Sequence, residues 1–155
     1  MIDQEFWSGS AASGVQIDRV LAHYQSPYVG KGDLIASVAK REGLNPIVLL
    51  AIMQEESSFG NARNAPTLKP ENTSNPFSIH FTPSANGIAK LRLPDGELST
   101  FEKSLGAVVE TLKLFRTSPT PLASFANHLG VMDVSGWTVR VRSHFEALKR
   151  RILSR

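Results

Sequence analysis

Seven consecutive apolar residues at 47–53 (IVLLAIM) lie between an Asn-Pro pair and a Glu-Glu pair, and this run restricts the fold more than any other stretch of the chain. Asn45 can cap a helix, and Pro46 suits its first turn. A helix with apolar side chains on all sides has no face for water. The run therefore predicts a central buried helix around which the other elements pack. Its end carries Glu55 and Glu56, followed by Ser57, Ser58 and Gly60, small residues where the chain must leave the core. A carboxylate at the end of a buried helix is costly unless it is paired or opens on a cleft. In a cleft, partial loss of water raises its pKa, so the carboxyl can hold a proton near neutral pH as a general acid must. The plainer alternative is a helix end that simply surfaces.

The chain has 155 residues, 41% of them hydrophobic and 20% charged, which is enough for one domain with a sizeable core. No apolar run approaches the roughly 20 residues of a membrane span, so no span is expected. The first residues (MIDQEFWSGSAASG) lack a positive segment followed by an apolar core, so no secretory signal is expected. The absence of cysteine excludes disulfides and thiolate chemistry. A net charge of +3 favours an anionic partner without choosing among a wall polymer, a nucleic acid and an acidic protein.

Residues 1–14 read as a flexible lead-in, with Phe6 and Trp7 as its possible anchors, and residues 15–155 as a single domain. Helical spacing marks 15–24, then 34–42 with Asp33 as cap and Gly43 as stop. From 61 to 76 prolines and asparagines rule out helix, and a loop of that length in a small domain is usually functional or disordered. Residues 77–82 (FSIHFT) and 88–93 (IAKLRL) alternate like strands, and a third short strand is expected to reach Phe101. Helices resume at 103–116, at Thr120-Pro121 up to about His128, and after Ser135, where Trp137, Val141, His144, Phe145, Leu148 and Ile152 form a stripe. The expected class is α+β, mainly α: a helical domain with a small antiparallel β-hairpin lobe.

Glu56-Ser57-Ser58-Phe59-Gly60 resembles the Glu-Ser-x-aromatic-Gly sequence of bacterial peptidoglycan glucosaminidases of the flagellar-muramidase type and, more distantly, the Glu-Ser motif of lytic transglycosylases. Both belong to the lysozyme-like superfamily. The apolar helix before it occupies the place of that family's catalytic helix. Asn75-Pro76-Phe77-Ser78-Ile79 is similar to the family's Asn-x-Phe-Gly-Ile segment, with Ser78 in place of the glycine. Phe101-Glu102-Lys103-Ser104-Leu105 resembles the point where the family's β-lobe ends and a helix begins. The family's late tyrosine has Trp137 as its nearest counterpart. The resemblance implies a lysozyme-like domain that cleaves the β-1,4 glycan backbone of peptidoglycan as an N-acetylglucosaminidase, a muramidase or a lytic transglycosylase. Within the superfamily, a compact, cysteine-free chain without a secretory signal resembles the effectors that type VI secretion systems inject into rival bacteria. That likeness implies export by a specialised system, action in the periplasm of a target cell, and an immunity protein that occludes the cleft.

Cleavage needs a proton on the leaving oxygen as oxocarbenium-like charge develops on the sugar. Periodicity cannot choose between Glu55 and Glu56, which point about 100° apart. The resemblance assigns Glu56 as the acid and leaves Glu55 structural, paired with a basic side chain. Candidates for a second catalytic carboxylate are Glu97, Asp95 and Glu71, with the family's β-lobe acid pointing to Glu97 or Asp95. The substrate's own N-acetyl group is an alternative, and in a transglycosylase Glu56 alone can serve as acid and then as base. The resemblance places Ser57, Asn75 and Phe77 at the substrate site; His80, Trp137 and Tyr28 are further candidates, and core packing is the alternative for each aromatic. No His-x-x-x-His or Glu-x-x-His spacing occurs, so neither metal nor cofactor is expected. Nucleic acid is not an expected partner, because aromatic residues do not alternate with the basic cluster at the C-terminus. The competing functional readings are a non-catalytic glycan-binding protein and a helical nucleic-acid-binding module.

Overall fold

The computed structural model describes residues 2–7, 12–61, 75–79, 81–83, 90–92 and 100–154. A short 3-10 segment (Ile2–Trp7) precedes six α-helices: α1 (Gly14–His23), α2 (Gly32–Glu42), α3 (Pro46–Ser57), α4 (Phe101–Leu114), α5 (Pro121–Leu129) and α6 (Val134–Leu153). Between α3 and α4 lie two three-residue strands, β1 (Phe81–Pro83) and β2 (Lys90–Arg92), which pair antiparallel with Phe81 opposite Arg92.

The expected α+β class is corrected to all-α. The six helices build the molecule, and three residue pairs of strand do not make a lobe, since an isolated two-stranded hairpin has too few contacts to stand as an independent layer. Two local effects shorten the expected sheet. Residues 75–79 form a turn: the Asn75 side chain accepts from Ile79 N (3.2 Å) and donates to Ile79 O (2.9 Å), while Ser78 adopts a left-handed backbone with φ +52°. At the other end, Phe101 begins α4, because Thr100 caps that helix by accepting from Lys103 N. Residues 84–89 and 93–99 lie outside the described residues.

Cap chemistry sets most helix boundaries. Ser13 and Gln16 form a reciprocal capping box on α1. Gly43 closes α2 with φ +70°. Asn45 accepts from Ile47 N at 3.0 Å, and Pro46 opens α3. Asp133, rather than Ser135, caps α6. Within α3 every residue from Pro46 to Met53 is buried, as expected of a helix apolar on all sides. Helix α6 lies along α3 and also touches α1 and α5, so the two form the centre of the molecule.

Residues of all six helices contribute to one hydrophobic cluster. Phe6, from the stretch read as a lead-in, belongs to it and meets Phe145 edge-on at 5.0 Å. Its carbonyl accepts from Asn45 N just before α3, and the neighbouring Glu5 pairs with Lys149 at 2.7 Å. Among the described residues no helix is long and apolar enough to cross a membrane.

Candidate active site

The last turn of α3 carries two adjacent carboxyls with different surroundings. Glu55 is 13% exposed and has both oxygens engaged by α6: Arg140 Nε donates to Oε2 at 2.8 Å, and His144 Nε2 lies 3.2 Å from Oε1. This is the basic pairing expected for Glu55. Glu56 has neither partner. Burial pushes its carboxyl up from the ordinary 4.5 to about 7, the Glu55 charge adds to the rise, and the Trp137 indole and the Arg140 cation offset part of it. A group balanced at that point can give up a proton and take it back at neutral pH.

Trp137 is buried, not a face open to ligand. Its indole N–H is close enough to Glu56 to favour the ionised carboxyl, yet it stops short of a hydrogen bond, and Nε1 has no partner among the described residues. Trp137, Arg140 and His144 stand three and seven residues apart on α6, so one face of that helix meets both glutamates.

The chain leaves Glu56 through a rigid corner. Ser58, Phe59 and Gly60 adopt left-handed conformations in succession, with φ of +49°, +61° and +73°. Side chains rarely tolerate this region, and runs of it mark places where the surroundings dictate the backbone. The surroundings here are specific. The Phe59 ring is fully buried and stacks on Tyr24 at 4.6 Å, and the Phe59 carbonyl accepts from Ser26 Oγ at 2.7 Å. Asn61 donates to the carbonyls of Tyr24 and Gln25. A Cβ on Gly60 would fall 2.4 Å from the Tyr28 ring, so that position also excludes a side chain on steric grounds.

Ser57, expected at the substrate site, points inward and is 2% exposed. Its hydroxyl donates to the Pro76 carbonyl at 2.7 Å, with the Met53 carbonyl 3.1 Å away, and accepts from Gly60 N at 2.9 Å. Asn75 spends its amide on the turn to Ile79, and Phe77 is fully buried against Phe101. Ser57 thus joins the 75–79 turn to the end of α3, Asn75 holds the turn itself, and Phe77 sets it against α4. Tyr28 is likewise buried, packed on Phe101 at 4.7 Å, and burial raises its hydroxyl pKa to about 12. Glu71, His80, Asp95 and Glu97 lie outside the described residues.

A cavity of about 240 Å³ between α1 and α6, lined by Arg19, Val20, His23, Arg151 and Ile152 among others, has no carboxylate among its lining residues. Among the described residues no three His, Asp or Glu side chains gather to hold a metal ion.

The arrangement offers a proton-holding carboxyl, an ion-paired neighbour that keeps it from ionising early, and a donor poised beside it. No protein-family model matches the chain, and neither a curated protein nor a solved structure matches it.

Proposed function

We propose that the chain is a glycoside hydrolase of peptidoglycan that cuts the β-1,4 glycan backbone, with Glu56 as the general acid. The observation that carries this reading is the carboxyl of Glu56, half-buried in the last turn of a helix whose residues from Pro46 to Met53 are all buried, and pushed up to about 7. The resemblance of Glu56-Ser57-Ser58-Phe59-Gly60 to the glucosaminidase motif supports the substrate class. So does the placement of the two matched segments: Ser57 is bonded directly to Pro76, which puts the second segment against the first.

In this mechanism Glu56 donates its proton to the bridging oxygen as the bond to the anomeric carbon breaks. The electron pair of that bond goes to the leaving oxygen. The resulting carboxylate then removes a proton from the attacking hydroxyl, whether of water or of the sugar itself. Glu55 is not the second acid, because both its oxygens are held by Arg140 and His144. The charge on the sugar is answered by the substrate's N-acetyl group or by a carboxylate among Glu71, Asp95 and Glu97. The setting we infer from the resemblance is antibacterial: export by a specialised secretion system, action in the periplasm of a target cell, and a cognate immunity protein that covers Glu56.

The test is digestion of purified peptidoglycan, with the fragments read by mass spectrometry. The native chain is expected to release disaccharide-peptides, whose new ends identify the bond cut and distinguish a reducing from an anhydro product. Glu56→Gln removes the acid with little change of shape and is expected to lower turnover by about a hundredfold to ten-thousandfold, the ~10²–10⁴ that general acid–base catalysis contributes. Equal turnover by the variant contradicts the assignment. Glycan binding by both forms with hydrolysis by neither points instead to a non-catalytic glycan-binding protein.

A further inference from the structure

Trp137 sits deep in the fold, 2% exposed and packed on Phe125 with ring centroids 5.9 Å apart. Its indole nitrogen is nevertheless without a hydrogen-bond partner among the described residues. The indole N–H is a donor only, and when buried it is nearly always paired. A donor kept out of water with nothing to bind calls for an acceptor in another state of the molecule. Trp137 stands one turn before Arg140, which is bound to Glu55, so its face of α6 meets the last turn of α3; the carboxyl there without a partner among the described residues is Glu56, whose ionised form the indole favours. A neutral carboxyl is a modest acceptor. A carboxylate is a strong one, and a hydrogen bond to it is charge-assisted.

We propose that Trp137 is the positioning donor of Glu56: its indole N–H, unpaired while the carboxyl carries its proton, binds the carboxylate that remains once that proton has left. As a part of catalysis this rests on the reading of Glu56 as the acid; as a relation between two side chains it does not. During cleavage the proton passes from Glu56 to the bridging oxygen while the glycosidic bond breaks. The indole then accompanies the new carboxylate and fixes its orientation. When the attacking hydroxyl gives its proton to Glu56 and forms the new bond to the anomeric carbon, the indole is released. The other charged groups about the pair, among the described residues, are Glu55 on α3, which opposes ionisation, and Arg140 on α6, which favours it; His144 on α6 is bound to Glu55.

The experiment is a pH titration of the full ¹⁵N-labelled chain, following its two indole resonances. The chain has two tryptophans, and Trp7→Phe identifies the signal of Trp137. The Trp137 indole proton is expected to move downfield through an inflection near neutral pH, and Glu56→Gln is expected to abolish that inflection. A flat titration, or an inflection that persists in Glu56→Gln, overturns the proposal. The spectra need no turnover, so a chain inactive on peptidoglycan that still shows the coupled inflection defeats the enzymatic reading alone. A second readout is Trp137→Phe, which keeps an aromatic ring and deletes the donor. The alkaline limb of its pH–rate profile is expected to move up by about one unit, the size of a lost hydrogen bond to a charged group, with kcat reduced more than KM is changed. An alkaline limb in the native place overturns the proposal.

Discussion

In the chemistry proposed for it, Glu56 is a side chain whose value works against stability. Its pKa is about 7 in the folded chain and near 4.5 when the chain is open. A carboxyl whose folded value lies above its unfolded value favours the folded state through its protonated form. That contribution is complete below about pH 4.5 and is lost as pH rises through about 7. Glu56→Gln removes the titration, so the variant is expected to gain on the native chain between pH 4 and pH 8, by up to about 3 kcal/mol for a shift of this size. Urea unfolding of both proteins at the two pH values reads this directly, and a gap that does not change with pH contradicts the burial of the carboxyl. At this scale the sequence is informative about the acid and silent about its neighbours. Two acids directly after seven apolar residues stand out on inspection. The partners of Glu55 do not, because Arg140 and His144 are 85 and 89 residues away. The helical spacing of Trp137, Arg140 and His144 marks one face of α6 but does not say what that face meets.

At the scale of elements, the proposed functional stretch is a helix end, a left-handed corner and a turn joined by one hydroxyl. Ser57 Oγ joins Gly60 of the corner to Pro76 of the turn. In Ser57→Ala the Pro76 carbonyl loses its hydroxyl donor in a dry setting, while the Gly60 N–H keeps the Ser57 carbonyl at 3.0 Å, and the chain is expected to lose about 1–3 kcal/mol in denaturant unfolding. A loss below about half a kcal/mol would mean that water reaches these groups and that the joint is not closed. The turn also shows why residues 77–79 do not fold as their alternation suggests, although Phe81 and Thr82 do lie in β1. Their alternation is real, but alternation describes a strand only if the backbone stays extended. Asn75 bonds Ile79 from both sides of its amide and Ser78 takes a positive φ, so local polar bonds override the pattern. That conformation gives a physical reason for a glycine at the matching place in the resembling family. Helix ends were more legible, because a cap residue acts within a few residues of itself: Gly43 and Asn45 function as their types suggest.

Across the whole molecule, the arrangement of α3 and α6 turns a run of apolar residues into a site. One helix brings the acid to the edge of the core. The other covers it with an indole and fixes its neighbour with a guanidinium and an imidazole. The run at 47–53 foretold the buried centre but not its cover, since which amphipathic helix lies on a central one is decided by all of them together. The docking of the first residues is similarly long-range: Glu5 meets Lys149 across 144 positions and Phe6 meets Phe145, neither of which a local pattern encodes. The expectation of an α+β class fails for a related reason. Short alternating segments suggested a β-lobe, while the helices account for the fold. The central claim is that this packing holds the Glu56 proton to neutral pH for delivery to a glycosidic oxygen. Its most direct test is a ¹³C titration of the Glu56 carboxyl set beside the pH–rate profile on peptidoglycan, recorded on the same protein. The account predicts a carboxyl inflection near pH 7 that coincides with the alkaline limb of activity; a carboxyl that ionises in the ordinary range near 4.5, or an alkaline limb that does not follow it, contradicts the account.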